Sequence, residues 1–565
     1  MRKRWRKIFK RLIISLAVIL LLIIAFLIYF NIAVRITPPV PDSTDVLKFN
    51  RTKLGKDFYV CKNNWLRKNK AGLWEMYVEG KPFEMGVMNG LLTKDLIYIQ
   101  EKAFVNEIKK MIPSDKYLKF LKYFVAWFNR NIDKYVEKEY QLEILGVSQS
   151  VSDEFSDVGP AYQRILNYHA AHDIGHALQN LNMVGCTSFA AWGGASEDSS
   201  LIIGRNFDFY VGDDFSKNKI VCFCNPDKGY KFMYVTWGGM IGVVSGMNEK
   251  GVTVTLNAAP SKWPLGSKTP ISILARNILQ YAKNINEAYL IAKSHKTFVS
   301  ESILVGSAED KKAVIIEKSP DNSNMVVSKS DHIICTNHFQ SDTSGSGFYN
   351  AINLRNSSSL YRYKRVEELM KRNPKLNYKI AADILRNQKG LYDKNIGMGN
   401  EKAINQLIAH HSIIFNPTKL LVWVSSNPYQ LGEYCAYDLK KIFKEDAGMK
   451  KDIEISEPEL SIPADTFLLS DEYKKFETYK SLRNEIQSYI KAGIPTAISA
   501  AEINTFLSSN PQYYYVYSLL GDYFLTSKNY STAIEYYRTA LSKEVTSAKD
   551  VNKIMAALKK CYKNE

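Results

Sequence analysis

Val184-Gly185-Cys186-Thr187-Ser188-Phe189, then eleven mostly small or polar residues, then Leu201-Ile202-Ile203-Gly204-Arg205-Asn206-Phe207-Asp208-Phe209: this stretch decides the fold. Two alternating apolar runs joined by a polar connection predict a β-hairpin. A cysteine directly behind a glycine opens the first strand, and an Arg-x-x-Asp closes the second.

A protonated thiol is a weak nucleophile, and free cysteine has a pKa of about 8.5, so chemistry at Cys186 needs a base or a positive charge nearby. Self-cleavage between Gly185 and Cys186 would supply the base. The freed α-amine has a reference pKa of about 7.7 to 8.0 and can take the thiol proton near neutrality. Gly185 suits the attacked position because the carbonyl needs open approach and a strained backbone. Arg205 would favour the thiolate, and Asp208 would hold and position the amine. Asn257, ending the run Thr253-Val254-Thr255-Leu256, and Asn337, in Thr336-Asn337-His338-Phe339, are strand-terminal amides able to face a developing oxyanion.

The chain of 565 residues is 46% hydrophobic and 23% charged, an ordinary globular balance with room for two to four domains. Its first eleven residues carry Arg2, Lys3, Arg4, Arg6, Lys7, Lys10 and Arg11, and nineteen uncharged residues follow from Leu12 to Phe30. That run is long enough to span a bilayer, and the flank 31–35 has no clear signal-peptidase site. We expect a single-pass membrane anchor through residues 12–30, basic flank inside and body extracytoplasmic. The net charge of +18 is partly this flank, and no nucleic-acid motif accompanies it. The cysteines 61, 186, 222, 224, 335, 435 and 561 are too few for a disulfide scaffold, and Cys222-Phe223-Cys224 has no second pair at zinc spacing. No metal and no cofactor are expected.

Short strands and loops are predicted over residues 45–80. The glycines of the segment Gly80 to Gly90 should interrupt any long helix there, and two amphipathic helices should fill 91–136, broken at Pro113. A helix over Ala161–Leu181 would bring His169, His172 and His176 to one face. Without the glutamate of an H-E-x-x-H motif we read them as packed histidines rather than zinc ligands. Strands are predicted over 231–237, 241–245, 251–256, 302–306, 313–318, 325–328, 332–337 and 412–424, and helices over 271–282, 285–294 and 360–371. This order suggests two antiparallel sheets packed together with helices outside. From Ser470 the chain is helical. Tyr517, Leu520, Gly521, Phe524, Ala533, Tyr537 and Ala540 fit one tetratricopeptide-like repeat, to be flanked by helices at 472–508 and 547–562 or capped by the preceding domain.

Taken together, Gly185-Cys186-Thr187-Ser188-Phe189, Arg205-Asn206-Phe207-Asp208, Gly246 to Gly251 running into Leu256-Asn257, Thr336-Asn337-His338-Phe339 and Ser359-Leu360-Tyr361-Arg362-Tyr363 resemble the acyl-coenzyme A:6-aminopenicillanic acid acyltransferase family, peptidase family C45. Choloylglycine hydrolases and penicillin V acylases are the wider kin. Gly80 to Gly90 looks like the opening motif of the acyltransferase branch. The resemblance covers about residues 75–430. It implies an α+β fold, the αββα N-terminal nucleophile hydrolase sandwich, with Cys186 as nucleophile and Arg205 and Asp208 beside it. It further implies an oxyanion hole from Asn257 (backbone) and Asn337 (side chain), with Arg362 completing the network, although Arg365 lies one turn on.

The expected organisation is therefore 1–34 basic flank and transmembrane anchor, 35–185 a mostly helical N-terminal fragment, 186–460 the catalytic domain, and 466–565 a helical tetratricopeptide-like domain. The expected activity is hydrolysis or acyl transfer at the amide bond of a small N-acylated molecule, or from an acyl thioester. Two other readings stand beside it. In one, Cys186 and His338 form a thiol-imidazole pair without self-cleavage. In the other, a membrane-tethered binding protein keeps the fold without turnover and recruits a protein partner through its C-terminal helices.

Overall fold

The predicted hairpin forms. In a computed structural model that describes residues 2–112, 114–171, 173–174, 185–260, 262–264, 266–345, 347–445, 454–493 and 498–565, β5 (Thr187–Ala191) pairs antiparallel with β6 (Ile202–Phe207). Ser188 stands opposite Arg205, and Thr187 opposite Asn206. Around this hairpin lies a six-stranded antiparallel sheet in the order β14 (His332–Cys335), β5, β6, β15 (His411–Asn416), β16 (Leu421–Ser425), β17 (Tyr434–Asp438).

The second sheet has eleven strands. Its order is β1 (Thr52–Gly55), β2 (Phe58–Cys61), β3 (Asn64–Lys68), β4 (Trp74–Gly80), β7 (Ile220–Pro226), β8 (Phe232–Thr236), β9 (Ser245–Asn248), β10 (Val252–Ala259), β11 (Ser300–Ser307), β12 (Lys312–Lys318), β13 (Ser323–Val326). It is not wholly antiparallel as expected, because β4 and β7 run parallel with Trp74 opposite Ile220. A parallel neighbour needs a long crossover, and here the chain from Gly80 to Ile220 supplies helices and the whole hairpin. Residues 35–185 are accordingly not a separate, mostly helical unit: β1 to β4 extend the same sheet, so residue 185 is a candidate cut in the chain and not a boundary between folding units.

The strand expected at 241–245 also shifts. Residues 241–243 spend backbone bonds outside the ladder, Ile241 N on His169 Nε2 at 3.0 Å and Val243 N on Ser272 O at 2.8 Å, and Val244 O accepts from Leu256 N at 3.1 Å. Pairing with β10 starts only at Ser245.

Alternation along each strand sorts the cores. Val221, Val235, Leu304 and Ile315 of the large sheet meet Ala190, Ile203, Ile413 and Val422 of the small one. The far side of the large sheet packs on helices that include α2 (Pro82–Met111), α6 (Ile271–Tyr281) and α7 (Ile285–Ser294) through Leu92, Ile278 and Ala288. The far side of the small sheet packs on α8 (Ser359–Arg372) and α9 (Tyr378–Leu385) through Val366 and Leu385. The layering is helix, sheet, sheet, helix.

Helix α2 overturns one expectation, since it runs unbroken through Gly86 and Gly90. These glycines bring α2 against α4 (Lys138–Ser148): a Cβ on Gly86 would lie 2.0 Å from Glu143 O, and one on Gly146 would lie 2.5 Å from Phe83 O. Backbone contact across the helix pair, not helix breaking, accounts for glycine here. Past α3 (Asp115–Phe128), helix α5 covers Ala161–His169. His172, His176 and the rest of the predicted helix from 175 to 181 lie outside the described residues, as does Val184.

At the N-terminus α1 spans Arg2–Ala33, none of its apolar window is buried, and its length and composition suffice to cross a membrane. At the other end α10 (Asp471–Ala492), α11 (Ala500–Ser509), α12 (Tyr514–Thr526), α13 (Tyr530–Ser542) and α14 (Ala548–Asn564) stack on the body. Gly521 lets α12 sit against the Tyr537 ring of α13, where a Cβ would approach to 2.6 Å. The stack is capped by the preceding domain: Leu407, Tyr429 and Leu431 join its core, and Asn510 exchanges two hydrogen bonds with the Met398 backbone at 2.8 and 3.0 Å.

Candidate active site

The hairpin register puts Gly185-Cys186 beside Asp208, and the ladder continues past the strand ends with Gly185 N donating to Asp208 O at 2.9 Å. On β6 the side chains alternate. Asn206 turns to the helical side and donates to Leu385 O and Ile404 O at 2.9 and 3.0 Å. Arg205 enters the space between the sheets, where one amino group donates to Val244 O at 3.0 Å and to Ser245 Oγ, and the other to Leu256 O. That second group, Nη2, stands 3.7 Å from Cys186 Sγ. A buried guidinium is tolerated there because carbonyl oxygens of the facing sheet replace water.

Arg362 reaches the same point from α8. Its Nη1 donates to Gly185 O at 3.0 Å, Cys186 O at 3.2 Å and Thr187 Oγ1 at 3.3 Å, and its Nη2 to Asn337 Oδ1 at 2.8 Å. Arg365 points elsewhere, to Glu368 at 2.9 Å, Asp393 at 2.6 Å and Asn387 at 3.1 Å. The two arginines one turn apart are thereby told apart.

The two asparagines are already engaged. Asn337 Nδ2 donates to Ala258 O at 2.9 Å. Asn257 Nδ2 donates to Cys335 O at 3.0 Å, and its Oδ1 accepts from Ser188 Oγ at 3.0 Å. Both sit within the cluster's walls, Asn257 fully buried on β10. His338 spends Nδ1 on Ser359 Oγ at 2.8 Å and Thr336 Oγ1 at 3.1 Å, and burial pushes its pKa down to about 4.

Sequence reasoning missed Gln406. Its Nε2 donates to Gly185 O at 2.8 Å and to Asp208 Oδ2 at 3.2 Å. It lies 221 residues beyond Gly185 in a connection with no motif of its own, so no spacing signal pointed to it. Ser245 and His411 were missed as well: His411 Nε2 lies 2.9 Å from Ser245 Oγ, extending the network that holds Arg205.

Burial sets the electrostatics. It pushes the Cys186 thiol up to about 11, against the pull of Arg205, so in the uncut chain the thiol keeps its proton. The expected bias of Arg205 toward thiolate has the right sign and the smaller size. Burial also lifts Asp208 to about 7 despite Arg362 and Arg205. Asp208 Oδ1 is buried without a hydrogen-bond partner among the described residues. The backbone strain expected at Gly185 turns on its link to Val184, which lies outside the described residues. What glycine supplies is room: a Cβ there would lie 2.9 Å from Gln406 Nε2.

One residue past Asp208, Phe209 joins Ile97, Phe104, Ile165, Phe215 and Trp237 around an apolar cavity of about 40 Å³. Cys222 and Cys224 are buried with sulfurs 3.5 Å apart, and no cluster of three or more metal-ligating side chains occurs among the described residues. His169 is a packed histidine, its Nδ1 on Ile165 O at 2.8 Å and its Nε2 accepting from Ile241 N.

Residues 195–427 match the family model of acyl-coenzyme A:6-aminopenicillanic acid acyl-transferase. The match takes in Arg205, Asp208, Asn257, Asn337, Arg362 and Gln406 and begins after Cys186. An uncharacterized protein of Archaeoglobus fulgidus is 24% identical over 53% of this chain and 55% of its own length. The N-acylethanolamine-hydrolyzing acid amidase of Caenorhabditis elegans is 25% identical over 38% of this chain and 59% of its own. The chain thus spans a little over half the length of these curated relatives. Among solved structures, conjugated bile acid hydrolase from Clostridium perfringens aligns at 12% identity over 45% of this chain and 93% of its own, with a TM-score of 0.32. Over residues 195–427, then, the chain is similar to the acyl-coenzyme A:6-aminopenicillanic acid acyl-transferase family, as its motifs led us to expect.

Proposed function

We propose that this chain is a self-processing cysteine hydrolase or acyltransferase of the N-terminal nucleophile class, cutting or exchanging the amide bond of a small N-acylated molecule. The observation that carries the reading is the convergence on Gly185-Cys186: one buried thiol touched by a guanidinium, and the preceding carbonyl held by two further donors. The family match and the amidase relative support the substrate class.

Cys186 attacks the Gly185 carbonyl, the resulting thioester is hydrolysed, and Cys186 becomes a terminal residue. Its α-amine then serves as the base, with the unpartnered Asp208 oxygen beside it to receive and orient it. In turnover the same thiol attacks the substrate's amide carbonyl and carries the acyl group as a thioester. Asn257 through its backbone and Asn337 through its side chain stabilise the oxyanion, and Arg205 and Arg362 hold the charge balance. The helix α1 anchors the enzyme in the cell membrane as a single span with its body extracytoplasmic, and the C-terminal helices, tetratricopeptide-like in their spacing, form a docked domain able to receive a protein partner.

Denaturing mass measurement tests the reading. Wild type is expected as two fragments, 1–185 and 186–565, with Cys186→Ala intact. Processed enzyme incubated with a panel of N-acyl amides should release amine and show an acyl adduct on Cys186. An intact chain that turns over these amides sinks the self-processing mechanism. A processed chain that never carries an acyl group, even from an acyl-thioester probe, leaves the binding-protein reading in its place.

A further inference from the structure

We infer that Gln406 and Arg362 form an oxyanion site used for self-cleavage, separate from the asparagine pair assigned to substrate, and that Gln406 is a catalytic residue of that step. The inference rests on the self-processing reading above.

The argument starts from acceptors. Gly185 O receives Gln406 Nε2 at 2.8 Å and Arg362 Nη1 at 3.0 Å. Gln406 Nε2 also reaches Asp208 Oδ2 at 3.2 Å, so both neighbours on that side of the amide are oxygens and the donor must be the nitrogen. The side chain is buried at 3% exposure. Its position is fixed by Asn405, whose backbone N donates to Asn387 O at 2.9 Å and whose Oδ1 accepts from Leu407 N at 3.0 Å. A pair of fixed donors on one carbonyl oxygen, away from water, is the arrangement that stabilises charge developing there.

The step balances as follows. The Cys186 Sγ to Gly185 carbon bond forms, and the carbonyl π pair moves onto Gly185 O, where Gln406 and Arg362 meet it. Collapse breaks the Gly185–Cys186 C–N bond, and the thiol proton leaves with the nitrogen as the free amine. Water then hydrolyses the thioester, giving the Gly185 carboxylate and restoring the Cys186 thiol. In the uncut chain the side-chain amides of Asn257 and Asn337 donate to Cys335 O and Ala258 O, whereas Gly185 O accepts from Gln406 and Arg362.

Gly185 itself shows how close that contact is. A Cβ there would stand 2.9 Å from Gln406 Nε2 and 3.0 Å from Oε1. Glycine at the cut site is what lets Gln406 close on the carbonyl.

The test follows the appearance of the 186–565 fragment over time in the full chain. Gln406→Met keeps length and apolar bulk and removes the donor, and is expected to slow cutting about a hundredfold, the usual loss for one oxyanion donor, with a melting temperature near wild type. Gly185→Ala is expected to slow it also, and the double variant to be no slower than the worse single one, because both act through one contact. Gln406→Met cutting at the wild-type rate, or the two losses multiplying, overturns the assignment. Should Gln406→Met fail to fold, Gln406→Glu, which keeps the side chain's shape and replaces the donor with a carboxylate, is expected to show the same loss, and cutting at the wild-type rate in it overturns the assignment. A wild-type chain that never cuts removes the self-processing reading and this assignment together, an outcome distinct from either variant result.

Discussion

Arg362 Nη1 donates to Gly185 O at 3.0 Å across 177 residues of chain, and with its bonds to Cys186 O and Thr187 Oγ1 it ties helix α8 to the proposed cut. Arg365, one turn further, is just as buried and, among the described residues, serves Glu368, Asp393 and Asn387. Arg362→Ala is therefore expected to lower both self-cleavage and turnover of the processed fraction by two orders of magnitude or so. Arg365→Ala should leave cutting intact and lower stability only modestly, through lost packing and the lost bond to Asn387, because Arg372 still pairs with Glu368 and Asp393. Fragment formation and urea midpoints measured on both variants check the pair, and equal loss of cutting in both would contradict it.

Gly86 gives a prediction whose sign separates two readings. A helix-interior glycine replaced by alanine ordinarily gains about 1 kcal/mol from propensity. Here the new methyl would lie 2.0 Å from Glu143 O, so α2 and α4 must move apart. Gly86→Ala should destabilise the chain by about 1–3 kcal/mol, the usual penalty of overpacking. A rise in melting temperature would show that close helix contact is not what the glycine serves.

The membrane reading predicts orientation. The basic cluster before Leu12 should stay in the cytoplasm, placing residue 40 and everything after it on the far side. Alkaline phosphatase fused after Val40 should be active and green fluorescent protein at the same point dark. The reverse pattern means the body is cytoplasmic.

How much of this was legible in the sequence follows from how local each signal is. The hairpin, the Cys186 and Arg205 positions and most strands of the second half are written in alternation over a few residues, and they were read with small shifts. The parallel β4–β7 neighbours were not, because nothing near residue 74 records that residue 220 will lie beside it. Gly86 and Gly90 were misread for the same reason: locally they look like helix breakers, and their purpose is visible only once Glu143 and Val147 arrive. Arg362 and Arg365 could not be separated by spacing, since helix phase against the site decides between them. Gln406, with no motif around it, needed the fold.

Asp208 carries the pH prediction. Burial raises its pKa from the ordinary 3.8 to about 7 in the intact chain. Between those values the folded chain holds a proton the unfolded chain has released, so this group's contribution to stability falls as pH rises through the window. At about 1.4 kcal/mol per pKa unit the full span is roughly 4 kcal/mol, an upper figure. In a Cys186→Ala background, which keeps both proteins whole, Asp208→Asn should gain on Asp208 as pH goes from 4.5 to 7.5, because the amide has no proton to lose and every other titrating group is shared. Urea unfolding at the two pH values reads the difference. A gap that stays constant would mean that the folded carboxyl titrates near its ordinary value. The processed wild type supplies the contrast: with the α-ammonium of Cys186 beside it, Asp208 regains a cationic partner, its pKa drops, and the penalty near neutral pH should shrink relative to the uncut chain.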